Sequence, residues 1–148
     1  NAERIQRIFA VNVTGSFLCA REAVKRMSSK YGGTGGSIVN LSSGAAKYGS
    51  PGEYVDYAAS KAAIDTLTIG LAREVAEEGI RVNAVRPGFI DTEIHQSGGE
   101  PDRMERVRPL VPMKRVGQAE KVADAIMWLL SDKASYTTGT ILDVSGGR

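Results

Sequence analysis

Hydrophobic residues recur at steps of three and four along much of the chain, which is the spacing of one face of an α-helix. The first such stripe runs between Glu3 and Met27 and contains Ile5, Ile8, Phe9, Val13, Phe17, Ala20, Val24 and Met27. A second stripe predicts a helix from about Ala58 to Glu78, with an inner face of Ala63, Leu67, Leu71 and Val75. A third predicts a helix from about Ala119 to Ser131, with Val122, Ala123, Ile126, Met127 and Leu130 inward. Gly79 stands where the second helix needs a C-terminal cap.

Short apolar runs bounded by turn residues separate these helices. Buried strands are predicted at Ser37–Ser42, Ile80–Arg86 and Thr140–Val144. Pro87-Gly88 ends the middle one, because proline has no N–H for a strand ladder. Strands that alternate with helices favour right-handed crossovers and a parallel sheet, which binds ligands at the carboxyl ends of its strands. The sequence therefore predicts an α/β fold.

The segment from Phe89 to Gly117 has no clean hydrophobic period and is rich in Gly, Pro and charged residues. We predict a mobile lobe with short helical turns that covers a ligand and sets the choice of substrate. Its basic residues are interpreted mainly as solvated charges rather than as an anion site; they are Arg103, Arg106, Arg108, Lys114 and Arg115. His95 in the same lobe is interpreted as a lone exposed residue.

Composition narrows the class of protein. The 148 residues are 42% hydrophobic and 24% charged, which fits one soluble domain, and the net charge of +2 argues against a dedicated nucleic-acid binder or membrane-surface protein. No apolar run is long enough for a membrane helix, so the cytoplasm is the expected compartment. One cysteine, Cys19, and one histidine exclude an internal disulfide and a Cys/His metal cluster. Cys19 is expected to be a small core residue.

Tyr57 and Lys61 are four residues apart at the start of the second helix, so both side chains project from one face. An ammonium close to a phenol favours the phenolate and lowers the phenol pKa, so Tyr57 could act as a general acid or base. The pair alone is more simply interpreted as two solvated helix residues. Ser42 and Ser43, at the carboxyl end of the first strand, could hydrogen-bond a substrate carbonyl or serve only as turn caps. Asn12, the polar residue on the first stripe, is a fourth candidate.

Five segments of the chain, in order, resemble the short-chain dehydrogenase/reductase family. They are Asn12-Val-Thr-Gly15, Ser37-Ile-Val-Asn-Leu-Ser-Ser43, Tyr57-Ala-Ala-Ser-Lys61, Arg81-Val-Asn-Ala-Val-Arg-Pro-Gly88 and Thr138-Gly-Thr-Ile-Leu-Asp-Val-Ser-Gly-Gly147. The resemblance implies a Rossmann-type doubly wound parallel sheet and hydride transfer between NAD or NADP and an alcohol or carbonyl substrate. It also implies a homodimer or homotetramer formed through the first two helices, where Val11, Leu18, Ile64 and Ile69 supply extra apolar surface.

The resemblance also implies a role for each site residue. Tyr57 would transfer the proton and help to bind the cofactor. Lys61 would lower the tyrosine pKa and hold the ribose of the nicotinamide. Ser43 would orient the carbonyl, and Asn12 would steady a water that links Lys61 to solvent. The residues expected along the nicotinamide and its phosphate are Pro87, Gly88, Ile90 and Thr92. No metal is expected.

Two departures from the family pattern matter. The spacing from Ser43 to Tyr57 is fourteen residues where thirteen is common, which implies one extra residue within Gly52-Glu-Tyr-Val-Asp56 and keeps Ser43, rather than Ser42, as the expected catalytic serine. The glycine fingerprint Gly-x-x-x-Gly-x-Gly, which holds the adenosine half of the cofactor, does not occur in residues 1–148. We therefore expect this chain to be the carboxyl-terminal portion of such a domain and, alone, to bind NAD or NADP more weakly than about 1 mM.

Two other functions stay open at this point. The chain could be a truncated, non-catalytic form that keeps only the oligomer surfaces of the family. It could also be related to sugar-nucleotide epimerases or dehydratases, which share the Tyr and Lys pair, although the short lobe and the Asp143-Val-Ser-Gly-Gly ending favour the smaller alcohol and ketone enzymes.

Overall fold

The computed structural model describes residues 1–93 and 102–148, and the predicted exposure of His95 lies outside these residues. The first helical stretch is α1 (Ala2–Phe9), a π-helical turn (Ala10–Thr14) and α2 (Gly15–Met27). The predicted helix is confirmed, but the residues of its hydrophobic stripe are less buried than the sequence predicts. No residue of α1 is buried, Phe17 is 52% exposed, and only Ala20 of α2 is buried. Cys19 is exposed, so its prediction as a core residue is wrong.

The second predicted helix is α4 (Val55–Val75), which is followed by a 3-10 turn (Ala76–Glu78); α3 is a short helix before it (Ala45–Tyr48). Gly79 caps this turn with φ of 79°, a conformation that glycine adopts without strain. The predicted inner face is confirmed at Val75, which is buried, and at Leu71, which packs against the same core cluster, but it is wrong at Ala63 and Leu67. The buried residues are Ala58, Ser60, Ile64, Thr68, Ala72 and Val75, so the helix turns small and polar side chains inward and leaves Leu67 and Leu71 half-buried. Ile64 is fully buried and cannot serve an oligomer surface.

Three parallel strands form the main sheet in the order β1, β2, β5. They are β1 (Gly36–Leu41), β2 (Ile80–Pro87) and β5 (Ile141–Val144). Gly36 pairs with Ile80 and Pro87 pairs with Val144, so all three strands run toward one edge. The predicted parallel α/β fold and all three strands are confirmed.

Each face of the sheet is covered by a separate hydrophobic cluster. On one face Ile80 and Val82 pack with Ala72 and Val75 of α4. On the other, Val85 packs with Val122 and Leu129 of α6 (Ala119–Leu130). Alternate residues of β2 therefore face opposite cores, as expected for a buried central strand.

The inner face of α6 is only partly as predicted. Val122 and Ile126 pack on the sheet, but Ala123, Met127 and Leu130 are exposed, and Met127 is 65% exposed. Leu129 takes the central buried position instead. The apolar residues of this helix nearly encircle its last turns, so spacing alone could not select the buried face.

Within the lobe between Phe89 and Gly117, the structure describes residues 89–93 and 102–117. Two short strands, β3 (Ile90–Asp91) and β4 (Gly117–Gln118), pair in parallel and close its base. Between them lie α5 (Arg103–Val107) and a 3-10 turn (Arg108–Leu110), which confirm the predicted short helical turns. No helix in residues 1–93 or 102–148 is long and apolar enough to cross a membrane.

Candidate active site

The carboxyl ends of the three main strands meet at one edge of the sheet. The backbone there is closely joined: Gly44 N donates to the Pro87 carbonyl, and Gly88 N donates to the Val144 carbonyl, each at 2.9 Å. A Cβ added to Gly88 would lie 2.8 Å from Cα of Ser145, so only glycine fits this approach. The edge is therefore a compact platform to which α4 adds the side chains of its first turns.

Tyr57 and Lys61 lie on the same face of α4, as the spacing predicts. The Lys61 ammonium is 5.7 Å from the centroid of the Tyr57 ring, and both residues are half-buried. Lys61 Nζ donates to the Leu41 carbonyl at 2.9 Å, which fixes the lysine to the end of β1. The phenol and the ammonium thus reach the strand edge together.

Lys61 has spare hydrogen-bonding capacity. An ammonium carries three N–H donors, and the Leu41 carbonyl is its only hydrogen-bond acceptor in the described part of the chain. Burial lowers the pKa of Lys61 below its ordinary value, and the charge of Asp65 acts against this fall. The two remaining donors suit a ligand with neighbouring hydroxyl groups, such as the ribose of a nicotinamide cofactor.

The two candidate serines have different partners. Ser42 is buried, and its hydroxyl lies 3.4 Å from the Lys61 carbonyl, so it ties β1 to α4. Ser43 is half-buried, and its hydroxyl accepts a hydrogen bond from Ala45 N at the start of α3. Ser43 is therefore a cap in this structure, but its hydroxyl also keeps a proton to donate. This geometry favours Ser43 over Ser42 as the residue that could face a substrate.

Asn12 lies in the π-helical turn between α1 and α2. Single π turns inside helices are rare and often occur at functional sites. The Asn12 side chain donates to the Ser60 hydroxyl at 3.0 Å, and Ser60 in turn donates to the Tyr57 carbonyl at 2.7 Å. Asn12 is therefore connected to the helical turn that carries Tyr57. The amphipathic spacing of the sequence contained no signal for this π turn.

Two residues near Tyr57, Asp56 and Arg103, make contacts that the sequence did not predict. Asp56 accepts a hydrogen bond from Tyr57 N at 2.8 Å, and Arg4 of α1 pairs with the same carboxylate at 2.8 Å. Both interactions lower the pKa of Asp56. On the other side, Arg103 of the lobe lies 3.5 Å from both Glu53 and the Tyr54 hydroxyl. The residues just before Tyr57 are therefore held in place by Arg4 of α1 on one side and by Arg103 of the lobe on the other.

The remaining predicted cofactor residues follow β2. Pro87 and Gly88 lie at the carboxyl edge, and Ile90 and Thr92 lie in and just after β3. The Ile90 side chain packs against the Val85 cluster, so it contributes to the core as well as to this region. Across the described residues, no three His, Cys, Asp or Glu side chains come together in a way that could hold a metal ion.

These features define a class: an α/β chain with a half-buried Tyr and Lys pair at the carboxyl edge of a parallel sheet. Comparison with known proteins agrees. Residues 1–148 match the family model described as Enoyl-(Acyl carrier protein) reductase. The chain is 69% identical over 147 residues to the Uncharacterized oxidoreductase YgfF of Escherichia coli strain K12, covering 99% of this chain and 60% of that protein. It is 44% identical over 146 residues to 3beta-hydroxysteroid dehydrogenase 1 of Eggerthella lenta, covering 98% of this chain and 55% of that protein.

The crystal structure of acetoin dehydrogenase YohF from Salmonella typhimurium superposes with a TM-score of 0.83 at 37% identity, over 99% of this chain and 56% of that one. The chain belongs to the short-chain dehydrogenase/reductase family of oxidoreductases. It represents a carboxyl-terminal portion of the Rossmann-type fold, and it spans a little over half the length of the relatives it matches.

Proposed function

We propose that the complete protein transfers hydride between a nicotinamide cofactor, NAD or NADP, and a small alcohol or ketone substrate. The observation that carries the proposal is the Tyr57 and Lys61 pair, with two ammonium donors to spare at the carboxyl edge of the sheet. Family membership supports an oxidoreductase, and the relatives YgfF and YohF are named as an oxidoreductase and an acetoin dehydrogenase.

In this mechanism Tyr57 donates a proton to the carbonyl oxygen during reduction and takes one from the alcohol during oxidation. The Lys61 ammonium stabilises the phenolate that forms, because an adjacent cation favours the charged state of an acid. The Ser43 hydroxyl donates a hydrogen bond to the substrate oxygen and orients it. When bound, the cofactor supplies or accepts the hydride, and the residues that would hold it are Lys61, Pro87, Gly88, Ile90 and Thr92.

Asn12 has a supporting role in the proposal. Its side chain already holds Ser60, and Ser60 holds the Tyr57 carbonyl. A water bound near this turn would connect Lys61 to solvent. A proton from solvent could then pass by way of Lys61 to Tyr57 and replace the one that Tyr57 gives to the substrate. The cytoplasm remains the predicted compartment.

The proposal is tested with Tyr57→Phe in the enzyme encoded by the full reading frame. The change removes only the hydroxyl that transfers the proton, so we expect turnover of a ketone with NADH or NADPH to fall about 100-fold or more, with unchanged thermal unfolding. Tyr31→Phe is the matched control, because Tyr31 is an exposed tyrosine far along the chain from the site. Near-native turnover by the Tyr57 variant would refute the assignment.

We also propose that the protein is a homodimer or homotetramer formed through the first helical stretch, residues 2–27, and α4. Val11 and Leu18 are 69% and 47% exposed, and Leu67, Ile69 and Leu71 of α4 are only half-buried, so these faces offer apolar surface to a second copy. Light scattering at tens of micromolar should give at least a dimer. A monomer would contradict this assignment and leave the hydride-transfer proposal unaffected.

One rival function has a specific observation behind it. Since the chain covers only 60% of the length of YgfF, residues 1–148 by themselves could form a non-catalytic protein with the same assembly surfaces. If turnover of the full-length enzyme does not depend on Tyr57, the reaction proceeds by other chemistry. If the natural protein consists only of these residues and binds no cofactor, the non-catalytic function is favoured.

A further inference from the structure

A cluster of charged side chains lies beneath the Tyr57 and Lys61 pair and takes no part in the mechanism above. Arg86 of β2 is its centre. Its guanidinium forms a two-pronged pair with Asp143 of β5, at 2.7 and 3.2 Å, and reaches Asp65 of α4 at 3.3 Å. Lys47 of α3 adds a further contact to Asp143 at 3.6 Å. The cluster therefore joins the helix that carries Lys61 to the two neighbouring strands.

Asp65 is the member of this cluster that is closest in sequence to the site. It follows Lys61 by four residues on α4, so the two side chains project from the same helix face. The Asp65 side chain is only 15% exposed, and Arg86, which contacts its Oδ2, is 19% exposed. Ion pairs this far from water are screened less than surface pairs.

The two carboxylate oxygens of Asp65 differ in their surroundings, because Oδ2 contacts Arg86 and Oδ1 does not. Oδ1 is buried and has no hydrogen-bond partner within the described residues. A buried carboxylate oxygen without a donor costs free energy, so such an oxygen needs a nearby positive charge. Arg86 donates two of its hydrogen bonds to Asp143 and one to Asp65. Lys61 lies one helical turn before Asp65 on the same helix face, and the charges of the two residues interact.

We propose that Asp65 is a positioning residue that acts through Lys61: its carboxylate, anchored by Arg86, keeps the half-buried lysine side chain charged at the site of Tyr57. This inference rests on the proposed function for its significance, because a neutral Lys61 could neither stabilise a phenolate nor act as a cation toward the cofactor. The direction of the Asp65 effect on the Lys61 pKa, which it raises against the fall caused by burial, agrees with the geometry.

The charged and titratable groups of the Lys61 site and of the Arg86 cluster come from four elements, and among them the charge of Asp65 acts on the pKa of Lys61. They are Tyr57 and Asp65 on α4, Lys47 on α3, Arg86 on β2 and Asp143 on β5. Arg86 opposes Asp65 in its effect on Lys61, because one is a cation and the other an anion. Removing each one should therefore move the titration of Lys61 in opposite directions.

The test measures the titration of Lys61 directly, in the absence of cofactor and substrate. The folded chain is labelled with acetic anhydride over a range of pH, and mass spectrometry gives the labelling rate of each lysine. Only the neutral amine reacts, so the pH of the inflection reports the pKa, while access to the reagent changes only the plateau. Lys121, an exposed lysine of α6, serves as the internal reference.

Asp65→Asn should lower the inflection pH of Lys61 and make its labelling several-fold faster at mildly alkaline pH, with Lys121 unchanged. Asp65→Glu should restore an inflection close to that of the wild type. Asp143→Asn is the matched control, because it removes a carboxylate from the same arginine but not from the Lys61 face, and it should leave the inflection in place. An unchanged or higher inflection in Asp65→Asn, or an equal fall in Asp143→Asn, would overturn the proposal.

Arg86→Gln supplies a second and opposite test should Asp65→Asn fail to fold. Loss of the arginine leaves the Asp65 charge uncompensated, so the inflection of Lys61 should rise. An inflection that stays in place or falls would contradict the proposal. Since neither measurement involves hydride transfer, failure here would leave the Tyr57→Phe test untouched, and failure of that test would leave the Asp65 and Lys61 coupling intact.

Discussion

Both ends of the main sheet carry a long cationic side chain, but the two side chains differ in the hydrogen bonds that they make with the backbone. At the amino ends, a cavity of about 600 Å³ is lined by Thr34, Gly36, Ile80, Arg81, Leu130 and Tyr136, among others. Arg81 there donates to three backbone carbonyls, those of Leu129, Thr137 and Ser131, at 2.8 to 3.2 Å. At the carboxyl ends, Lys61 donates to one carbonyl, and its other donors are free for a ligand.

Under the proposed function, this difference distinguishes an arginine that holds the fold together from a lysine that holds a ligand. Three of the five N–H donors of the Arg81 guanidinium bond the end of α6, the residue after it and the segment before β5, so the chain itself fixes this side chain. An ammonium with unused donors next to a phenol can act on a bound molecule. The proposed function places the chemistry at the carboxyl edge, and the cavity at the amino ends then lies beside a residue that holds the fold together.

The largest effect on stability should come from the amino ends. Arg81→Met removes three hydrogen bonds from a charged donor, while the carbonyls keep their bonds from Ser37, Asn83 and Ala134, so we expect the free energy of unfolding to fall by about 2 kcal/mol. Turnover per folded molecule of the complete enzyme should change little. Chemical denaturation followed by circular dichroism checks the first part. Arg26→Met is the control, because Arg26 is 74% exposed and contacts only Glu22 of its own helix; an equal loss in both variants would contradict the comparison.

A smaller, pH-dependent effect should come from the carboxyl ends. The Arg86 hydrogen bonds hold the pKa of Asp143 below its ordinary value of 3.8. A carboxyl with a lowered pKa in the folded state stabilises the protein above the unfolded value, and this contribution disappears as the pH falls further. Asp143→Asn should therefore destabilise the protein by less than about 1 kcal/mol at neutral pH, and the difference from wild type should shrink below pH 3.8.

Thermal unfolding of both proteins from pH 7 downward measures this difference. Asp124→Asn is the control, because the Asp124 side chain is 73% exposed and pairs only with Lys121 at 3.7 Å. A difference between wild type and Asp143→Asn that stays constant to the lowest pH would show that the Asp143 charge is not the cause.

The sequence predicted the parts of the fold that depend on local chemistry. Helix periods, the Gly79 cap and the Pro87-Gly88 strand end are set by short-range rules, and each is confirmed. The inner face of α4 was partly missed because some of its buried positions are polar. Thr68 donates to the Ile64 carbonyl and accepts from Asn40 of β1, so its hydroxyl is satisfied inside the core, which a hydrophobic pattern does not detect.

The candidate site was predictable to a similar extent. The spacing of Tyr57 and Lys61 placed both on one helix face, and the structure brings them to the edge that the parallel fold implies. The Arg86 cluster could not be found from the sequence, because Asp65, Arg86 and Asp143 are far apart along the chain and meet only when α4, β2 and β5 pack together. The catalytic roles of Asn12, Ser43, Tyr57 and Lys61 remain predictions.

The most direct test of the account asks which end of the sheet holds the cofactor. NADH and NADPH are titrated calorimetrically into the complete enzyme, into its Lys61→Ala variant, and into Ser135→Trp, which fills the cavity at the amino ends. We predict that Lys61→Ala weakens the binding of the preferred cofactor about tenfold or more, which is about 1.4 kcal/mol, while Ser135→Trp leaves it unchanged. Weakened binding in Ser135→Trp together with unchanged binding in Lys61→Ala would contradict the account.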